Sequence, residues 1–530
     1  MTTATSGQDI NAAQAMEKSR GFPREWLAIA GALLGAFMAI LDIQITNSSL
    51  KDIQAALGAT LEESSWIATS YLVAEMIAIP LTGFFAAWLS PRRYLLWNGA
   101  GFILASLACS FSWNLESMIA FRALQGFTGG ALIPMAFTLI ITLLPLDKRP
   151  VGMALFGVTA TFAPTIGPTL GGWLTEAFSW HYIFYLNVIP GVVVLWLLAE
   201  GLDKTEGDDN ELKKIDMFGM LTMALGLGSL QIMLEEGARD DWFDAEYIRW
   251  LAVVACVSLA LFVRKQLTTA HPLVDLRLFA GRDFALACVA YFMLGCGLFG
   301  SVYLVPLYLA SVHDYTALDI GLVLMWVGFP QLPFFPLIPK ILKYVHAKYL
   351  VAFGFFVMGV SMFMNTHMTT DYDGSYLIPA LLVRALGQPF IMVPLSIMSA
   401  ANLKPQDTAS ASTLFNVMRN LGGAVGIALL ATLLSDRTDF HLSQLKETLT
   451  DGGMALTEYL DRMSMMLQQN GGTEEQAYGV LMQDVTQQAM VMSYNEAFML
   501  VGAMLMLAAL ASLAIRPPKP GSVNAAGGGH

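Results

Sequence analysis

Apolar segments of about 20 residues, each long enough to cross a bilayer, recur along this chain from Trp26 to Ile515. A helix of that length spans the ~30 Å hydrocarbon core of a membrane and bonds all of its own backbone groups. Only 13% of the residues are charged, and the mean hydropathy of +0.57 excludes a string of soluble domains. The sequence therefore predicts an all-α polytopic membrane protein.

Fourteen segments are predicted to cross the bilayer, with both termini on the same side. Most of the 29 lysines and arginines lie in the loops on that side, and because positive charge is enriched in cytoplasmic loops, both termini are predicted to be cytoplasmic. The expected spans are residues 26–48, 65–88, 93–112, 116–143, 151–176, 182–200, 216–236, 248–268, 284–310, 318–340, 348–367, 376–402, 409–435 and 490–515.

The chain also contains a weak internal repeat at an offset near 260 residues, with both copies in the same direction. This offset predicts two parallel six-helix halves, with the seventh and eighth spans inserted between them. The matching segments are Phe121-Arg-Ala-Leu-Gln-Gly126 with Val383-Arg-Ala-Leu-Gly-Gln388, Leu155-Phe-Gly-Val158 with Leu414-Phe-Asn-Val417, and Ala163 and Gly167 with Gly422 and Gly426.

The repeat and the spans together predict the domain organisation. A second half includes one long outer loop, 437–489, in which Met454 to Leu467 and Val480 to Val485 follow helical spacing. Two amphipathic helices are expected there, either as a cap on the membrane domain or as a docking site for another protein. The predicted units are a cytoplasmic tail 1–25, a first bundle 26–200, a linker with two inserted helices 201–283, a second bundle 284–515 and a cytoplasmic tail 516–530.

Ionisable groups inside spans are costly in a membrane, so each is a functional candidate. Asp42 and Arg122 are predicted at similar depth in the outer half of the membrane, and Glu75 is the other deep acid. Burial favours the neutral form of a carboxyl and a nearby guanidinium favours its charged form, so these residues are candidates for proton coupling. The alternatives are a capping or interfacial Asp42 and an Arg122 bonded to backbone carbonyls for structure alone.

Other polar side chains in spans are candidates for lining a substrate cavity, or alternatively for bridging helices. Glu235 and Glu236 lie at the outer end of the seventh span and are expected to be solvated. The cavity candidates are Asn47, Gln125, Arg384, Gln388, Asn416, Arg419 and Asn420.

A stripe of small residues marks the fifth span. Ala163, Gly167 and Gly171 are four residues apart, so a neighbouring helix can approach this side of the helix closely. Pro168 removes a backbone hydrogen bond and is expected to bend the helix. The pattern suits two bodies that rock against each other, but it is equally typical of a tightly packed span with no moving role.

Several classes of function are excluded. We find no Gly-Lys-Ser/Thr phosphate loop and no nucleophile motif, so the chain is not expected to be an enzyme. The four cysteines lie inside apolar runs without zinc or disulfide spacing, and no metal site is expected. A net charge of -12 argues against nucleic acid as a partner. No apolar core with a cleavage site precedes the first span, so a cleaved signal peptide is not expected.

Two motifs resemble those of the major facilitator superfamily. The fifth-span pattern, Ala163, then Gly167-Pro168, then Gly171-Gly172, resembles the antiporter signature of that family, and Arg122-Ala-Leu-Gln-Gly126 resembles a fourth-helix motif linked to proton transfer. With the fourteen spans, they resemble the fourteen-span drug:proton antiporters. Ser229 to Gly237, Asp241-Trp-Phe243 and His271-Pro-Leu-Val-Asp-Leu276 resemble the EmrB-type multidrug exporters of Gram-negative bacteria.

The resemblance implies the major facilitator fold and a multi-pass inner-membrane exporter of hydrophobic or amphipathic compounds, driven by a proton gradient without a cofactor. It also implies two partners, a periplasmic adaptor and an outer-membrane channel. One motif departs: between the second and third spans, the acidic position of the family is Ala87 and its second glycine is Ser90. The charge latch attributed to that acid is therefore not expected.

Two alternatives remain open at this point. One is a proton-coupled transporter of a single endogenous metabolite, such as a siderophore or a fatty acid. The other is a membrane receptor or scaffold that transports nothing and acts through its outer loop.

Overall fold

The computed structural model describes residues 24–145, 147–208, 216–269, 272–400, 407–450, 453–469 and 474–515, and every regular element in these ranges is helical. The prediction of an all-helical chain is confirmed for this part of the protein. Several predicted features lie outside the described residues: nearly all of the tail 1–25, the tail 516–530, residues 209–215 of the linker, and His271.

The first half of the chain contains ten helices. Two of them begin at capping boxes, one on Thr60 and one on Asn114, in which each cap side chain accepts a hydrogen bond from a backbone N–H of the first turn. The helices are α1 (Arg24–Ser48), α2 (Leu50–Leu57), α3 (Leu61–Ser64), α4 (Trp66–Leu89), α5 (Pro91–Ser110), α6 (Leu115–Gly129), α7 (Leu132–Leu143), α8 (Arg149–Ala177), α9 (His181–Tyr185) and α10 (Val188–Gly201).

The inserted pair and the second half follow. The inserted helices are α11 (Met217–Glu236) and α12 (Glu246–Thr268). The second half comprises α13 (Arg282–His313), α14 (Ala317–Gln331), α15 (Ile338–Ile341), α16 (Ala347–Phe363), α17 (Gly374–Gly387), α18 (Pro389–Ala400), α19 (Thr408–Thr450), α20 (Gly453–Gln469) and α21 (Glu474–Ser512).

Eleven stretches of the described chain are helical, long and apolar enough to cross a membrane. The other three predicted spans coincide with α5, α14 and α16, of which α14 and α16 are apolar but shorter. Three of the eleven stretches are each made of two consecutive helices, namely Leu115–Leu143, His181–Gly201 and Gly374–Ser399. The number fourteen therefore stays a prediction, whereas the membrane-spanning character of the chain is confirmed.

The two halves meet along several pairs of helices. Helix α8 of the first half packs against α14, α15 and α18 of the second, and α4 and α7 pack against α19. The inserted helix α11 packs against both α4 and α19, while α12 packs on α11. The insertion therefore covers one seam between the halves.

The small residues of α8 serve two neighbours at once. A methyl group on Gly167 would overlap the side chain of Gln44 on α1, and one on Gly171 would overlap Ser48. On another side of α8, Gly172 lies against the backbone of α14 near Leu318. Helix α8 stays a single element through Pro164 and Pro168, so these prolines do not break it.

The second half repeats the α1–α8 contact with α13 and α19. Gly422 lies against the backbone of Phe292, and Gly426 lies against Cys296. The Cys296 thiol also bonds the carbonyl of Gly422 at 3.0 Å. Gly422 and Gly426 are the residues that the internal repeat aligns with Ala163 and Gly167, so both halves use the same close approach.

The outer segment differs from the prediction of two separate amphipathic helices. Residues 454–467 do lie in a separate helix, α20, but residues 480–485 belong to α21, which continues into the last span. Helix α19 likewise runs on from its span to Thr450. Arg437 of α19 forms an ion pair with Glu496 of α21, and Tyr459 of α20 bonds Asp484 at 2.7 Å. The segment is thus a continuation of two spans, with α20 packed on α21.

The linker crosses the C-terminal end of α4, where Ala87 occupies the acidic position of the family motif. The backbone N–H of Asp208 bonds the carbonyl of Ala87 at 3.3 Å, and Gly207 lies against the carbonyl of Trp88. Glu206 lines a cavity there together with Ala87 and Ala409, the latter near the start of α19. The linker therefore covers this end of the α4–α19 seam.

Ser90, at the glycine position of the same motif, has a φ of 75° and a buried side chain. Glycine adopts this conformation without the steric cost that a Cβ atom brings. We expect Ser90→Gly to stabilise the protein by about 1 kcal/mol, measured as a higher midpoint of thermal unfolding in detergent. The control is Ala105→Gly, in the interior of α5, which should lower the midpoint. An unchanged or lower midpoint for Ser90→Gly would contradict the strain at this turn.

Candidate functional site

A cavity lies between the halves and has two adjoining lobes of ≈ 460 and 910 Å³. Both lobes share lining residues from α1, α8 and α13, namely Gln44, Ala160, Pro164, Leu298 and Phe299. Because the lobes share these walls, we treat them as one central cavity. Its walls are largely apolar, and its few polar groups converge from different helices, as in a small-molecule site.

The smaller lobe contains a buried guanidinium and is called the arginine lobe. Arg384 of α17 and Gln388 line it, and each is only 2% exposed. The Nε and Nη1 atoms of Arg384 have no hydrogen-bond partner within the described chain. Gln44 and Thr165 complete the polar lining.

The larger lobe contains two carboxyl groups and is called the carboxylate lobe. Glu75 of α4 is 4% exposed, and Asn420 of α19 donates a hydrogen bond to its Oε1 at 3.4 Å. Arg419, also on α19, lines the same lobe and attracts Glu75 electrostatically. Glu235 of α11 also lines this lobe and accepts a hydrogen bond from Gln231 at 2.8 Å. The inserted helix therefore contributes an acid to the central cavity.

Asp42 and Arg122 are paired, but away from this cavity. Arg122 Nη1 lies 2.5 Å from Asp42 Oδ2, and the two residues are 0% and 3% exposed. Neither is among the residues that line the cavity in the described part of the chain. The pair lies buried within the first helical bundle, so the alternative of an interfacial Asp42 is wrong.

The remaining hydrogen-bonding capacity of Asp42 is also filled. Gln125 and Asn187 donate to Asp42 Oδ1 at 2.9 and 2.6 Å, and both also contact the hydroxyl of Ser106. These partners come from α5, α6 and the turn between α9 and α10. A buried ion pair is retained only when such additional bonds satisfy its remaining atoms.

Arg122 is oriented by α4. Its Nε donates to the carbonyl of Ile67 at 3.2 Å, and its guanidinium lies over the ring of Tyr71, 4.4 Å from the centroid. Gly126 allows α6 to touch the Tyr71 backbone. Glu75 follows Tyr71 by four residues, so one helix contacts both the ion pair and the carboxylate lobe.

The predicted cavity residues divide into two groups. Asn47, Arg384, Gln388, Arg419 and Asn420 line the cavity, as their positions suggested. Gln125 does not, because it bonds Asp42 inside the bundle, and Asn416 donates to the carbonyl of Ser412 on its own helix at 2.8 Å. The stripe of Ala163, Gly167, Pro168, Gly171 and Gly172 lies on the wall that α8 shares with α1 and α14.

Sequence reasoning missed several polar residues of the site. The expectation of solvated Glu235 and Glu236 is wrong. Glu236 is 2% exposed and accepts hydrogen bonds from Ser65 and Thr69 of the first half, and it pairs with Arg239. Two features of the sequence could have identified these residues. Gln231 precedes Glu235 by four residues and so lies on the same face of the helix, and Asn187 is an isolated polar residue in an apolar run.

Comparisons with known proteins agree with this geometry. The family model described as Major Facilitator Superfamily matches residues 32–427. The chain is 34% identical to the colistin resistance protein EmrB of Acinetobacter baumannii over 489 residues, 92% of this chain and 96% of that one. It is 33% identical to the multidrug export protein EmrB of Escherichia coli, covering 94% of this chain and 96% of that protein.

Two further relatives extend the comparison. The fatty acid resistance protein FarB of Neisseria gonorrhoeae is 30% identical over 96% of this chain and 99% of its own length. Among solved structures, the human organic anion transporter MFSD10 matches with a TM-score of 0.57 at 13% identity, covering 91% of this chain and all of that one, which shows the fold alone. The chain belongs to the Major Facilitator Superfamily, within its EmrB-type group of exporters.

Proposed function

We propose that this protein is a proton-coupled exporter of hydrophobic or amphipathic compounds in the bacterial inner membrane. A substrate would occupy the central cavity from the cytoplasm or the inner leaflet and leave on the outer side. The observation that supports this proposal most directly is the carboxylate lobe, in which Glu75 and Glu235 face a cavity shared by both halves. The names of the EmrB relatives, which describe multidrug export and colistin resistance, agree with it.

Glu75 and Arg419 offer a physical route from proton binding to movement. They belong to α4 and α19, a helix pair along which the halves meet. A proton on Glu75 removes its attraction to Arg419, so the α4–α19 contact weakens, whereas loss of that proton restores it. A proton or a substrate can shift the equilibrium between two arrangements of the halves only if it binds one arrangement more tightly than the other.

We propose that Asp42 and Arg122 influence the α4–α19 contact and the protonation of Glu75 from inside the first half. A proton on Asp42 would leave Arg122 as an uncompensated buried charge, at a cost of about 3–5 kcal/mol. That cost would be transmitted to α4, because Arg122 bonds Ile67 and stacks on Tyr71. The pair therefore acts on the helix that bears Glu75 without lining the cavity itself.

The proposed partners are a periplasmic adaptor and an outer-membrane channel. The outer segment supports this proposal, because α19 and α21 both extend beyond their spans and hold α20 between them. An extension built on two spans of the second half offers an adaptor a surface that moves with that half.

A specific transporter of one metabolite is the second candidate. It is favoured by the name of the FarB relative, which refers to fatty acid resistance. In this case the cavity would select one endogenous compound, and the coupling groups would be the same. Transport into everted vesicles, with a panel of compounds and with or without a proton gradient, separates the two candidates.

We expect Asp42→Asn to abolish drug resistance in cells while the protein still reaches the membrane, because the neutral amide no longer balances Arg122. Resistance is measured as growth against a drug panel, and membrane content by immunoblot. Asp52→Asn, on the exposed side of α2, is the matched control and should retain resistance. Full resistance of the Asp42→Asn variant would remove Asp42 from the mechanism.

We expect Glu75→Gln to abolish the proton flux that accompanies substrate transport, because a carboxamide does not bind and release a proton as a carboxylate does. Glu235→Gln should lower the same flux by about tenfold, which corresponds to about 1.4 kcal/mol in the barrier. A pH-sensitive dye inside proteoliposomes measures the flux. Glu116→Gln, exposed in the first turn of α6, is the control. Wild-type flux in both cavity variants would place proton binding elsewhere.

The scaffold alternative is tested by replacing residues 440–486 with a short Gly-Ser linker, which keeps the Arg437–Glu496 ion pair. We expect the shortened protein to transport substrate across the membrane of proteoliposomes but to lose resistance in cells, since the docking surface is gone. Loss of transport in a shortened protein that unfolds at the wild-type temperature would favour a receptor or scaffold.

A further inference from the structure

We propose that Arg384, together with Gln388, forms a subsite for the anionic head group of an amphipathic substrate. This inference rests on the proposed transport function and names a substrate class for the arginine lobe. The ligand chemistry is a monoanion such as a carboxylate, attached to an apolar chain.

The two halves treat their matching arginines differently. Arg122 and Arg384 occupy the same place in the internal repeat, in Phe121-Arg-Ala-Leu-Gln-Gly126 and Val383-Arg-Ala-Leu-Gly-Gln388. In the first half, Asp42 of α1 neutralises Arg122. The counterpart of α1 is α13, which has no acidic residue from Phe284 to Val312. The second half therefore provides no equivalent carboxylate for Arg384.

Arg384 is nevertheless almost fully buried, at 2% exposure. Within the described residues no carboxylate forms a salt bridge with it, and its Nε and Nη1 atoms have no partner. Leaving a buried charge unpaired costs several kcal/mol, so such groups are normally paired or placed where a ligand pairs with them. Because Arg384 lines the arginine lobe, a bound anion is the partner that its position allows.

The acids of the cavity are committed to other groups. Glu75 is bonded by Asn420 and attracted by Arg419, and Glu235 is bonded by Gln231. All five of these residues line the carboxylate lobe, and none of them lines the arginine lobe. Proton-binding and anion-binding groups thus lie in separate parts of one cavity.

The lining of the arginine lobe also suits an amphipathic molecule. A guanidinium presents paired N–H donors in a plane and binds a carboxylate through two parallel hydrogen bonds. The amides of Gln388 and Gln44 add donors beside it, and the side chains of Leu298, Phe299 and Val327 form an apolar wall. An anionic head at Arg384 would place its chain against this wall.

The substrate class has an electrical consequence. Exchange of one monoanion moving out for one proton moving in transfers two positive charges inward, whereas exchange of a neutral compound transfers one. The membrane potential therefore contributes twice as much to export of the anion as to export of the neutral compound.

Binding of three probes with the same chain length tests the subsite: dodecanoate, uncharged dodecanol and cationic dodecyltrimethylammonium. Affinities are measured by calorimetry at pH 8 with the full chain in phosphatidylcholine nanodiscs. We expect the wild type to prefer dodecanoate by about 10- to 100-fold, the range of a hydrogen bond to a charged group. Arg384→Gln should lose that preference, and Arg384→Lys should keep part of it. Arg93→Gln, exposed at the start of α5, is the control.

Equal wild-type affinities for the three probes would overturn the proposal, and this measurement needs no variant to fold. An unchanged preference in Arg384→Gln would overturn it as well. Nanodiscs containing phosphatidylglycerol separate the two sources of an anion: if a lipid headgroup fills the subsite, this lipid abolishes the dodecanoate preference, and the transported-substrate proposal fails.

The transport function is tested apart from the subsite, by proton-driven export of an uncharged compound by the wild type. If that export is absent while the dodecanoate preference persists, the pump hypothesis fails and the anion site stands. If export is present without the preference, only the anion site fails.

Discussion

The cost of burying charge is the constraint on which the rest of this structure depends. Within the first half that cost is offset by contacts inside the bundle. Asp42 forms an ion pair with Arg122 and accepts hydrogen bonds from Gln125 and Asn187, and it is buried away from the cavity. These contacts bring together α1, α5, α6 and the α9–α10 turn, with α4 held through Arg122. A buried pair of this kind stabilises little by itself, but it specifies which helices must be neighbours.

Close helix approach is the second constraint, and it operates at the seams where the halves meet. Gly171 and Gly172 are consecutive in α8, yet one lies against α1 of its own half and the other against α14 of the opposite half. Neither contact leaves room for a methyl group without movement of the neighbour. Because the backbones touch directly, a small displacement of α14 cannot be absorbed by flexible side chains and must be passed on to α8.

The sequence predicted much of this fold because hydropathy reports how deep a residue lies in the bilayer. It does not report how each helix is rotated about its axis, so it could not tell whether Asp42 faces a cavity or a neighbouring helix. The same ambiguity affected Gln125 and Asn416, which point to a neighbouring side chain and to their own backbone. Glu235 and Glu236 were misjudged because α11 is packed against α4 and α19, a contact between distant parts of the chain that no local pattern encodes.

The internal repeat explains why charge is distributed unequally between the two halves. Both halves inherit an arginine on the corresponding helix, but only the first half keeps the acid that neutralises it. The arginine of the first half is therefore closed in an ion pair, while the second half presents Arg384 and Arg419 to the cavity. Glu75 of the first half and Glu235 of the inserted helix add acids to the same cavity. In the mechanism that we propose, the affinity of the cavity for protons and for anions depends on how far apart the halves stand, which is the condition for coupling one flux to the other.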